Sequence, residues 1–311
     1  MAVVLVYRAI GLGDFLTGVP ALRAVRRALP QHRLVLATSP PLAPLVPLVG
    51  GIDEMLPTRA LRPLPWAGDP PDVAVNLHGR GPQSHQVLAA LRPRRLIAFG
   101  NEEARLRGPV WRAAEHEVRR WCRLVAAELR VCAPDHDLVL RRPAAAPQVE
   151  GALIVHPGAA AAARRWPAGR FATVARWLAA SKAGPVVVTG SAAETELARA
   201  VADAAGLPPS AVLAGRTALD ELAALVAAAR LVVAGDTGIA HLASAYRTPS
   251  VVLFGPTSPR AWGPPETGPH IALWHGPAGD PHADVLDPAL DRIQVDEVIA
   301  AVDTLASLVR V

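Results

Sequence analysis

The chain has 311 residues, of which 51% are hydrophobic and 19% charged, so it can fill the cores of two domains of ordinary size. Its formal net charge is +5, and 31 of its 32 basic residues are arginine because Lys182 is the single lysine. No block of five like charges occurs, so the sequence gives little support to nucleic-acid binding, while an anionic ligand or a membrane surface remains compatible with it.

Strands and helices alternate through the first half of the chain. Apolar, β-branched runs predict strands over 2–7, 33–37, 53–56, 72–76 and 95–99. Apolar residues spaced by three and four predict a helix that starts near Thr17 and further helices over 42–49, 83–91 and 115–129. The last of these helices carries Arg119, Arg120 and Arg123 away from its apolar face, which we interpret as a solvated basic face. This alternation predicts a parallel sheet covered on both faces.

A proline-rich segment, 141–148, is expected to link two domains, 1–145 and 146–311. Strands are then predicted over 152–156, 186–189, 231–234 and 250–254, and helices over 171–180, 194–204, 219–229, 239–245 and 295–309. The segment 276–288 is rich in Pro, Gly and Asp and is expected to be a loop, and the last helix is expected to pack in the second domain or back on the first. Two Rossmann-like α/β domains, whose parallel sheets face a central cleft, explain this pattern best.

The turn Gly11-Leu12-Gly13-Asp14 follows the first predicted strand. It lacks the third glycine of the dinucleotide fingerprint, which argues against a dehydrogenase. Its glycines permit a sharp turn from which Asp14 would project into the cleft. A carboxylate so placed can act as a general base toward a hydroxyl, whereas an acidic residue at a helix start also stabilises the helix without any catalytic role. Both interpretations remain open from this motif alone.

Asp236, Thr237 and Gly238 lie between a predicted buried strand and a helix. Free backbone N–H groups and the helix dipole favour an anion such as phosphate at that position. The carboxylate of Asp236 would repel phosphate and suits the hydroxyl groups of a neutral polyol better. His241, one helical turn further on, is either a ligand contact or a structural histidine.

Polar residues also follow other strands of the second half. Arg164 and Arg165 are either contacts to a leaving diphosphate or members of a solvated loop. Glu194 can accept a hydrogen bond from a ribose or stabilise a helix start, and the turn 215–217 can offer backbone groups to a nucleobase.

No metal site is evident, since Asp135-His136-Asp137 lies near the linker and the histidine pairs lack zinc-type spacing. Cys122 and Cys132 match neither a metal nor a redox spacing, so we expect reduced thiols of a cytoplasmic protein. The apolar run at the N-terminus is shorter than that of a signal peptide, and no run reaches the roughly 20 residues of a membrane helix. A soluble protein is therefore expected.

Three segments taken together resemble the family 9 glycosyltransferases, the ADP-heptose heptosyltransferases of lipopolysaccharide core synthesis, which have the GT-B fold. They are 8–23 with its Gly-Leu-Gly-Asp turn, the turn Arg164-Arg165-Trp166-Pro167, and 236–262 with Asp-Thr-Gly, His241, Phe-Gly-Pro-Thr and Trp262. The resemblance implies an inverting, metal-free transfer of a sugar such as heptose from an ADP-activated donor. The acceptor would be a hydroxyl of a glycan, a glycolipid or a small natural product.

The resemblance also implies roles for particular residues. Asp14 would be the catalytic base, and Arg164 would occupy the position of the family's usual diphosphate-binding lysine. The residues implied to contact the donor are Gly13, Arg164, Glu194, Thr217, Asp236, Thr237, Gly238 and His241. The acceptor half offers His78, Arg80, Arg94 and Arg95 as candidates. The alanine run 159–163 departs from the family, whose members often carry Ser or Thr there, so hydroxyl contacts to the diphosphate are lost or made by backbone.

Two alternatives remain open on the sequence alone. One is a sugar-nucleotide epimerase of GT-B fold, which would act on the donor without an acceptor. The other is a nucleotide-sugar-binding protein that has lost catalysis.

Overall fold

The computed structural model describes residues 2–309, with side chains up to residue 307. The chain divides into two compact units, Met1–Arg141 and Arg142–Val311, and the division falls inside the predicted linker. Within the described residues, each unit contains one five-stranded sheet in which every strand pair is parallel. The predicted α/β class with two Rossmann-like units is thereby confirmed.

The first unit is built around a central strand whose last four residues are buried. Its strands are β1 (Val3–Tyr7), β2 (Arg33–Thr38), β3 (Glu54–Pro57), β4 (Val73–Asn76) and β5 (Arg95–Ile97), in the order β3-β2-β1-β4-β5. Its helices are α1 (Leu12–Thr17), α2 (Val19–Ala28), α3 (Val46–Val49), α4 (Gln83–Ala89) and α5 (Glu117–Leu129), with a 3₁₀ helix at Pro40–Leu45. Leu5 of β1 lies opposite Val35 and Ala74 on its two neighbours, and all three are buried, as expected for a parallel sheet with both faces covered.

The second unit repeats this plan with a different strand order. Its strands are β6 (Leu153–His156), β7 (Val186–Val188), β8 (Leu231–Gly235), β9 (Ser250–Leu253) and β10 (His270–Leu273), in the order β10-β9-β8-β6-β7. Its helices are α6 (Ala168–Ser181), α7 (Thr195–Ala205), α8 (Leu219–Ala228), α9 (Gly238–Tyr246), α10 (Pro259–Trp262), α11 (Pro288–Arg292) and α12 (Val295–Val309). Short 3₁₀ helices lie at Ala162–Arg164, Ala192–Glu194 and Pro209–Ala211.

Each sheet reverses the direction of strand addition next to its first strand. In the first unit, β1 lies between β2 and β4, and in the second unit β6 lies between β7 and β8. Crossovers that leave such neighbouring strands in opposite directions open a crevice at the carboxyl ends of the strands, and ligands of open α/β sheets bind there. The ends of β1 and β4, and of β6 and β8, are therefore the places to look for a site.

The first helix begins earlier than the sequence predicts, at Leu12 rather than near Thr17. Gly11 is its N-cap with extended backbone (φ −74°, ψ 176°), so Gly13 and Asp14 belong to the first helical turn and not to a loop. Gly18 separates α1 from α2, and a Cβ atom there would lie 2.7 Å from Cδ of Arg8. The helix is therefore interrupted where the chain passes directly over the Arg8 side chain.

The arginines of α5 form only part of the solvated face that we expected. Arg120 is only 5% exposed, pairs with Glu117 and donates to three carbonyl oxygens of the preceding loop. Arg119 is more exposed but pairs with Asp135 at 2.8 Å. The helical periodicity predicted the apolar face of α5 correctly. It did not predict that the ion pair between Glu117 and Arg120 is buried at the edge of that face.

The end of the chain contains elements that the sequence does not predict. The edge strand β10 has four half-buried residues that follow Pro269, too few for a clear apolar pattern. The expected loop 276–288 ends at Asp287, whose carboxylate accepts from the N–H groups of the first turn of α11. The buried side chains of α12, Val298, Val302 and Leu305, belong to the core of the second unit, so packing on the first domain is not needed to bury them.

Trp166 should be a major stabilising residue of the second unit. It is 2% exposed, its Nε1 donates to the Ile293 carbonyl at 3.0 Å, and its ring meets Phe171 edge-on at 5.0 Å. We expect Trp166→Ala to lower the free energy of unfolding by about 3–5 kcal/mol, measured by urea denaturation followed by circular dichroism. Trp177→Ala, at a half-buried position of α6, is the matched control, and an equal loss there would contradict the assignment.

Candidate functional site

In the first unit, Asp14 lies beside the end of β1, at the reversal of strand order. It is a half-buried residue of the first turn of α1, and its Oδ2 lies 3.5 Å from where a Cβ atom on Gly11 would be. Burial raises the pKa of Asp14 above its ordinary value, the charge of Arg8 opposes this effect, and the charge of Glu117 adds to it. A carboxylate with a raised pKa is a better general base than a solvated one.

His78 follows β4, on the other side of the same crevice. Its ring stacks on Tyr7 with centroids 4.4 Å apart and an interplanar angle of 8°, and its Nδ1 is 3.2 Å from the backbone nitrogen of Ala9. Because that N–H can only donate, Nδ1 accepts and the ring proton is on Nε2. Burial, helped by the charge of Arg8, lowers the pKa of His78 to about 4, so the ring is neutral at pH 7.

The other acceptor candidates are not all at this edge. Arg80 is exposed on the loop after β4, two residues beyond His78. Arg94 and Arg95 lie at the amino end of β5, where Arg94 pairs with Asp72 at 3.3 Å and Arg95 with Glu128 at 3.1 Å. Since all strands of this sheet are parallel, their amino ends are at the edge opposite to His78. Arg94 and Arg95 are therefore not neighbours of His78, and the structure does not group them with the other acceptor candidates.

In the second unit, Arg164 connects the two strands that flank the reversal of strand order. It ends the 3₁₀ turn after β6, and its Nη1 lies 3.2 Å from the carbonyl oxygen and 3.8 Å from Oδ2 of Asp236, which follows β8. Asp236 is 6% exposed, and its own N–H donates to the Leu253 carbonyl at the end of β9. The sequence therefore named two residues, 72 positions apart, that the fold brings into contact.

Two buried polar atoms at this place have no hydrogen-bond partner among the residues that the structure describes. They are Nε of Arg164 and Oγ1 of Thr237. Thr237 is the N-cap of α9 and has extended backbone, but its hydroxyl makes no capping bond. Unsatisfied buried donors are rare, and here they lie beside the free N–H groups of a helix start that begins at Gly238. A ligand with anionic oxygen atoms would satisfy both.

His241 lies on the same helix, in its first turn. It is half-buried, and its ring meets the Trp262 ring edge-on with centroids 6.0 Å apart. The contact holds the imidazole beside α10, which follows the Phe254-Gly255-Pro256-Thr257 turn at the end of β9.

Glu194 and Thr217 lie on adjacent turns next to the end of β7. The N–H of Gly215 donates to the Gly190 carbonyl at 3.0 Å, which joins the two turns. Oε2 of Glu194 accepts from both the N–H and the hydroxyl of Ser191 at 2.8 Å, in a capping box at the helix start. The structural role that the sequence left open for Glu194 is therefore present, and a ligand contact would have to use the remaining lone pairs.

His156, which the sequence reasoning missed, lies against Glu194 at the end of β6. Its Nδ1 is 2.9 Å from the Thr189 hydroxyl, and burial lowers its pKa to about 4 although Glu194 acts in the opposite direction. For Glu194, burial acts to raise the pKa. Hydrogen bonds from Ser191 and the charges of His156 and Arg165 outweigh burial, so the pKa of Glu194 lies below its ordinary value. A Cβ atom on Gly158 would lie 2.3 Å from the Glu194 carboxyl, so any side chain there would have to displace that carboxyl. The His-Pro-Gly sequence directly after a strand was the available signal.

The acidic triplet near the linker has partners of its own. Asp135 pairs with Arg119, and Asp137 pairs with Arg23 and Arg27 of α2. Among residues 2–309, no three His, Cys, Asp or Glu side chains come together as a metal site requires. Cys122 is buried, which raises the pKa of its thiol to about 12, and Cys132 is exposed; both are free.

Within the described part of the chain, every helix is too short or too polar to cross a membrane.

This protein has two Rossmann-like units, each with a crevice at the carboxyl edge of its parallel sheet. That arrangement defines a class of α/β proteins. The structure of the Escherichia coli ADP-heptose lipopolysaccharide heptosyltransferase II has this fold, with a TM-score of 0.78 and 20% sequence identity. The similarity covers 99% of this chain and 100% of that chain. The protein therefore has the GT-B fold that the resemblance implied.

The family follows from the sequence match. The model of glycosyltransferase family 9 (heptosyltransferase) matches residues 101–276, more than half of the chain, so the chain belongs to glycosyltransferase family 9. Lipopolysaccharide heptosyltransferase 2 of E. coli K12 is 37% identical over 100 residues, which cover 31% of this chain and 28% of that protein. Lipopolysaccharide heptosyltransferase 3 of E. coli is 32% identical over 160 residues, 49% and 46% respectively. The match spans less than half the length of these curated relatives.

The neutral state of His78 can be tested directly. We expect the ¹³Cε1 resonance of His78, assigned by its loss in His78→Gln, to show no titration between pH 8 and pH 5.5, because the buried ring protonates only near pH 4. A midpoint near the ordinary value of about 6.5 would contradict the burial argument.

Proposed function

We propose that the protein is an inverting, metal-independent glycosyltransferase that moves a sugar, heptose in the first instance, from an ADP-activated donor to an acceptor hydroxyl. The observation that carries the proposal is the placement of the candidate residues. In each unit they gather near the reversal of strand order, with a carboxylate of raised pKa in one unit and, in the other, buried polar atoms of Arg164 and Thr237 that have no partner among the described residues. Membership of family 9 supports the same reaction.

The donor diphosphate is proposed to bind at the start of α9. The N–H groups of Thr237 and Gly238, the Thr237 hydroxyl and the guanidinium of Arg164 all offer donors there. Nη1 of Arg164 lies 3.8 Å from Oδ2 of Asp236. The Asp236 carboxylate is proposed to accept hydrogen bonds from hydroxyl groups of the sugar and not to contact the diphosphate, because two anions would repel. Gly13 and His241 are proposed as further donor contacts. Neighbours in the fold have been solved with ADP and with ADP-2-deoxy-2-fluoro heptose.

The nucleoside is proposed to lie over the adjoining turns. Glu194 would accept from the ribose, and Thr217 would contact the adenine. The hydrogen bond from Gly215 to Gly190 holds these two turns together. This contact supports the proposal that both turns form one binding surface for the nucleoside. Glu194 already accepts two hydrogen bonds from Ser191, so a ribose would find this carboxylate fixed in position.

The chemical step needs one base and one leaving group. Asp14 takes the proton of the acceptor hydroxyl as its oxygen forms a bond to the anomeric carbon, while the bond from that carbon to the diphosphate oxygen breaks. A single displacement inverts the configuration, and ADP leaves with the electron pair. Arg164 and the helix start stabilise the charge that develops on the diphosphate. The neutral Nε2–H of His78 and the cation of Arg80 are proposed to orient the acceptor.

For the acceptor and for the location of the protein, we propose only a broad class. A glycan, glycolipid or small natural product is proposed as the acceptor, with no nucleic-acid partner. A cytoplasmic protein with at most peripheral membrane contact fits such a reaction.

The role of Asp14 predicts a specific defect. Asp14→Asn should lower the rate of transfer from ADP-heptose by about 10²–10⁴ through loss of the base, while the Kd for ADP, measured by calorimetry, stays unchanged. Asp135→Asn, which removes an exposed carboxylate of the same unit, is the control and should keep full activity. Full transfer by Asp14→Asn would refute the role.

The donor assignment predicts a ranking of nucleotides. ADP should raise the melting temperature more than UDP or GDP, because binding to the native state stabilises it by mass action. Arg164→Met should abolish most of the ADP effect, whereas Arg170→Met, which removes an arginine paired with Asp291, should preserve it. UDP ahead of ADP would overturn the donor assignment.

Metal independence has its own test, since one neighbour in the fold is described as an iron-containing heptosyltransferase. Transfer should continue unchanged in excess EDTA. Loss of activity that Mg²⁺ or iron restores would contradict the proposal. Release of ADP without any acceptor, with an epimer or glycal formed, would favour the epimerase, and tight ADP binding without turnover would favour the inactive binding protein.

A further inference from the structure

The side chain of Arg8, directly after β1, is completely buried at 0% exposure. Its Nε donates to the carbonyl oxygen of Asp14 at 2.5 Å, its Nη2 donates to the Thr17 hydroxyl at 2.9 Å, and its Nη1 donates to the Leu77 carbonyl. The Thr17 hydroxyl in turn donates to the same Asp14 carbonyl at 2.8 Å. One guanidinium thus ties both ends of α1 to the ends of β1 and β4.

The charge of Arg8 is compensated by a buried residue of another helix. Its Nη2 lies 3.5 Å from Oε1 of Glu117, and its guanidinium lies over the Trp121 ring at 4.9 Å from the centroid. Glu117 is 5% exposed, accepts from Nε1 of Trp121 at 2.7 Å and pairs through Oε2 with Arg120. Burying charges without such partners would be strongly unfavourable, so the group is held as a unit.

These charges act on Asp14 from two elements. Arg8, at the end of β1, favours the ionised carboxylate, and Glu117, from α5, disfavours it. Arg120 acts on Arg8 from the same helix as Glu117, and His78 at the end of β4 is neutral at pH 7. The carboxylate is therefore acted on by one cation and one anion that are themselves paired. A base placed in this way can be ionised at neutral pH without becoming strongly acidic.

We propose that Arg8 is the positioning residue of Asp14: it fixes the turn of α1 that carries the carboxylate and supplies the positive charge beside which that carboxylate ionises. Arg8 reaches the Asp14 carbonyl and not the solvent, so it acts through Asp14 and does not touch a substrate. The negative charge of Glu117 opposes the effect of Arg8 and so limits how far the pKa of Asp14 is lowered. The inference rests on the proposed role of Asp14 as the base, but the electrostatic relation itself can be measured without turnover.

The test measures the ionisation of Asp14 in the full-length chain. Aspartate labelled with ¹³C at the carboxyl carbon is followed by NMR against pH, and the Asp14 signal is assigned by its absence in Asp14→Asn. In Arg8→Met the midpoint should rise by about one pH unit or more, a tenfold change in ionisation, because the nearby cation is lost. In Glu117→Gln it should fall, because the nearby anion is lost. The acid limb of kcat/KM should move in the same two directions.

Two further variants separate charge from structure. Arg8→Lys retains the cation without the planar fork, so the Asp14 midpoint should change little while kcat falls. Arg23→Met is the matched control, because Arg23 of α2 also makes several hydrogen bonds and an ion pair with Asp137 but is not among the charges that shift the pKa of Asp14. It should lower stability without moving the Asp14 midpoint.

Opposite shifts in Arg8→Met and Glu117→Gln would support the proposal. Unchanged midpoints in both, or shifts in the same direction, would overturn it. If Arg8→Met does not fold, the pair Arg8→Lys and Glu117→Gln still decides, since a midpoint in Glu117→Gln that fails to fall contradicts the proposal. Opposite shifts in a protein that transfers no sugar would instead place the failure in the proposed function.

Discussion

Parallel strand pairing is the constraint on which the rest of this structure depends. Each parallel strand must be followed by a crossover. The carboxyl ends of all strands, and the turns that follow them, therefore lie at the same edge of the sheet. Where the order reverses, at β1 and β4 in one unit and at β6 and β8 in the other, two such turns flank a crevice. Asp14 and His78 occupy the first crevice, and Arg164 and Asp236 the second. The order of the parallel strands therefore determines where the candidate site residues lie in each unit.

The two crevices differ in how their charges are satisfied. In the first unit, Arg8 and Glu117 are buried and hydrogen-bonded, and their charges act in opposite directions on the Asp14 carboxylate, whose pKa burial raises. In the second unit, the Thr237 hydroxyl and Nε of Arg164 are buried and unsatisfied among the described residues. The first group holds its charges through contacts within its own unit, although Nε of Arg120 is also buried without a partner among the described residues. The buried donors of the second unit lie at a helix start, where the proposed anionic ligand would satisfy them.

Much of the fold could be predicted from the sequence because its strands are continuous apolar runs and its helices have clear periodicity. The elements that could not be predicted are weakly patterned: β10 is a half-buried edge strand of four residues, and α1 begins within a Gly-Leu-Gly-Asp motif that reads as a turn. Asp14 and Asp236 could be named as candidates because each lies in a glycine-containing segment that the sequence places between a strand and a helix, and Asp236 follows its strand directly. Arg94 and Arg95 stand at the start of a strand that the sequence does predict, and in a parallel sheet that position is the edge opposite to the turn that carries His78. Arg8, Glu117 and Arg120 could not be grouped at all, because their contact joins β1 to a helix more than a hundred residues away.

The central claim is that one carboxylate and one anion site perform a single displacement, and the stereochemistry of the product tests it most directly. The anomeric configuration of the transferred heptose can be determined by NMR from the one-bond C1–H1 coupling and compared with that of the ADP-heptose donor. Inversion is the result that the structure predicts. Retention would require a second nucleophile or a different reaction path, and it would contradict the assignment of Asp14 as a base acting on the acceptor hydroxyl.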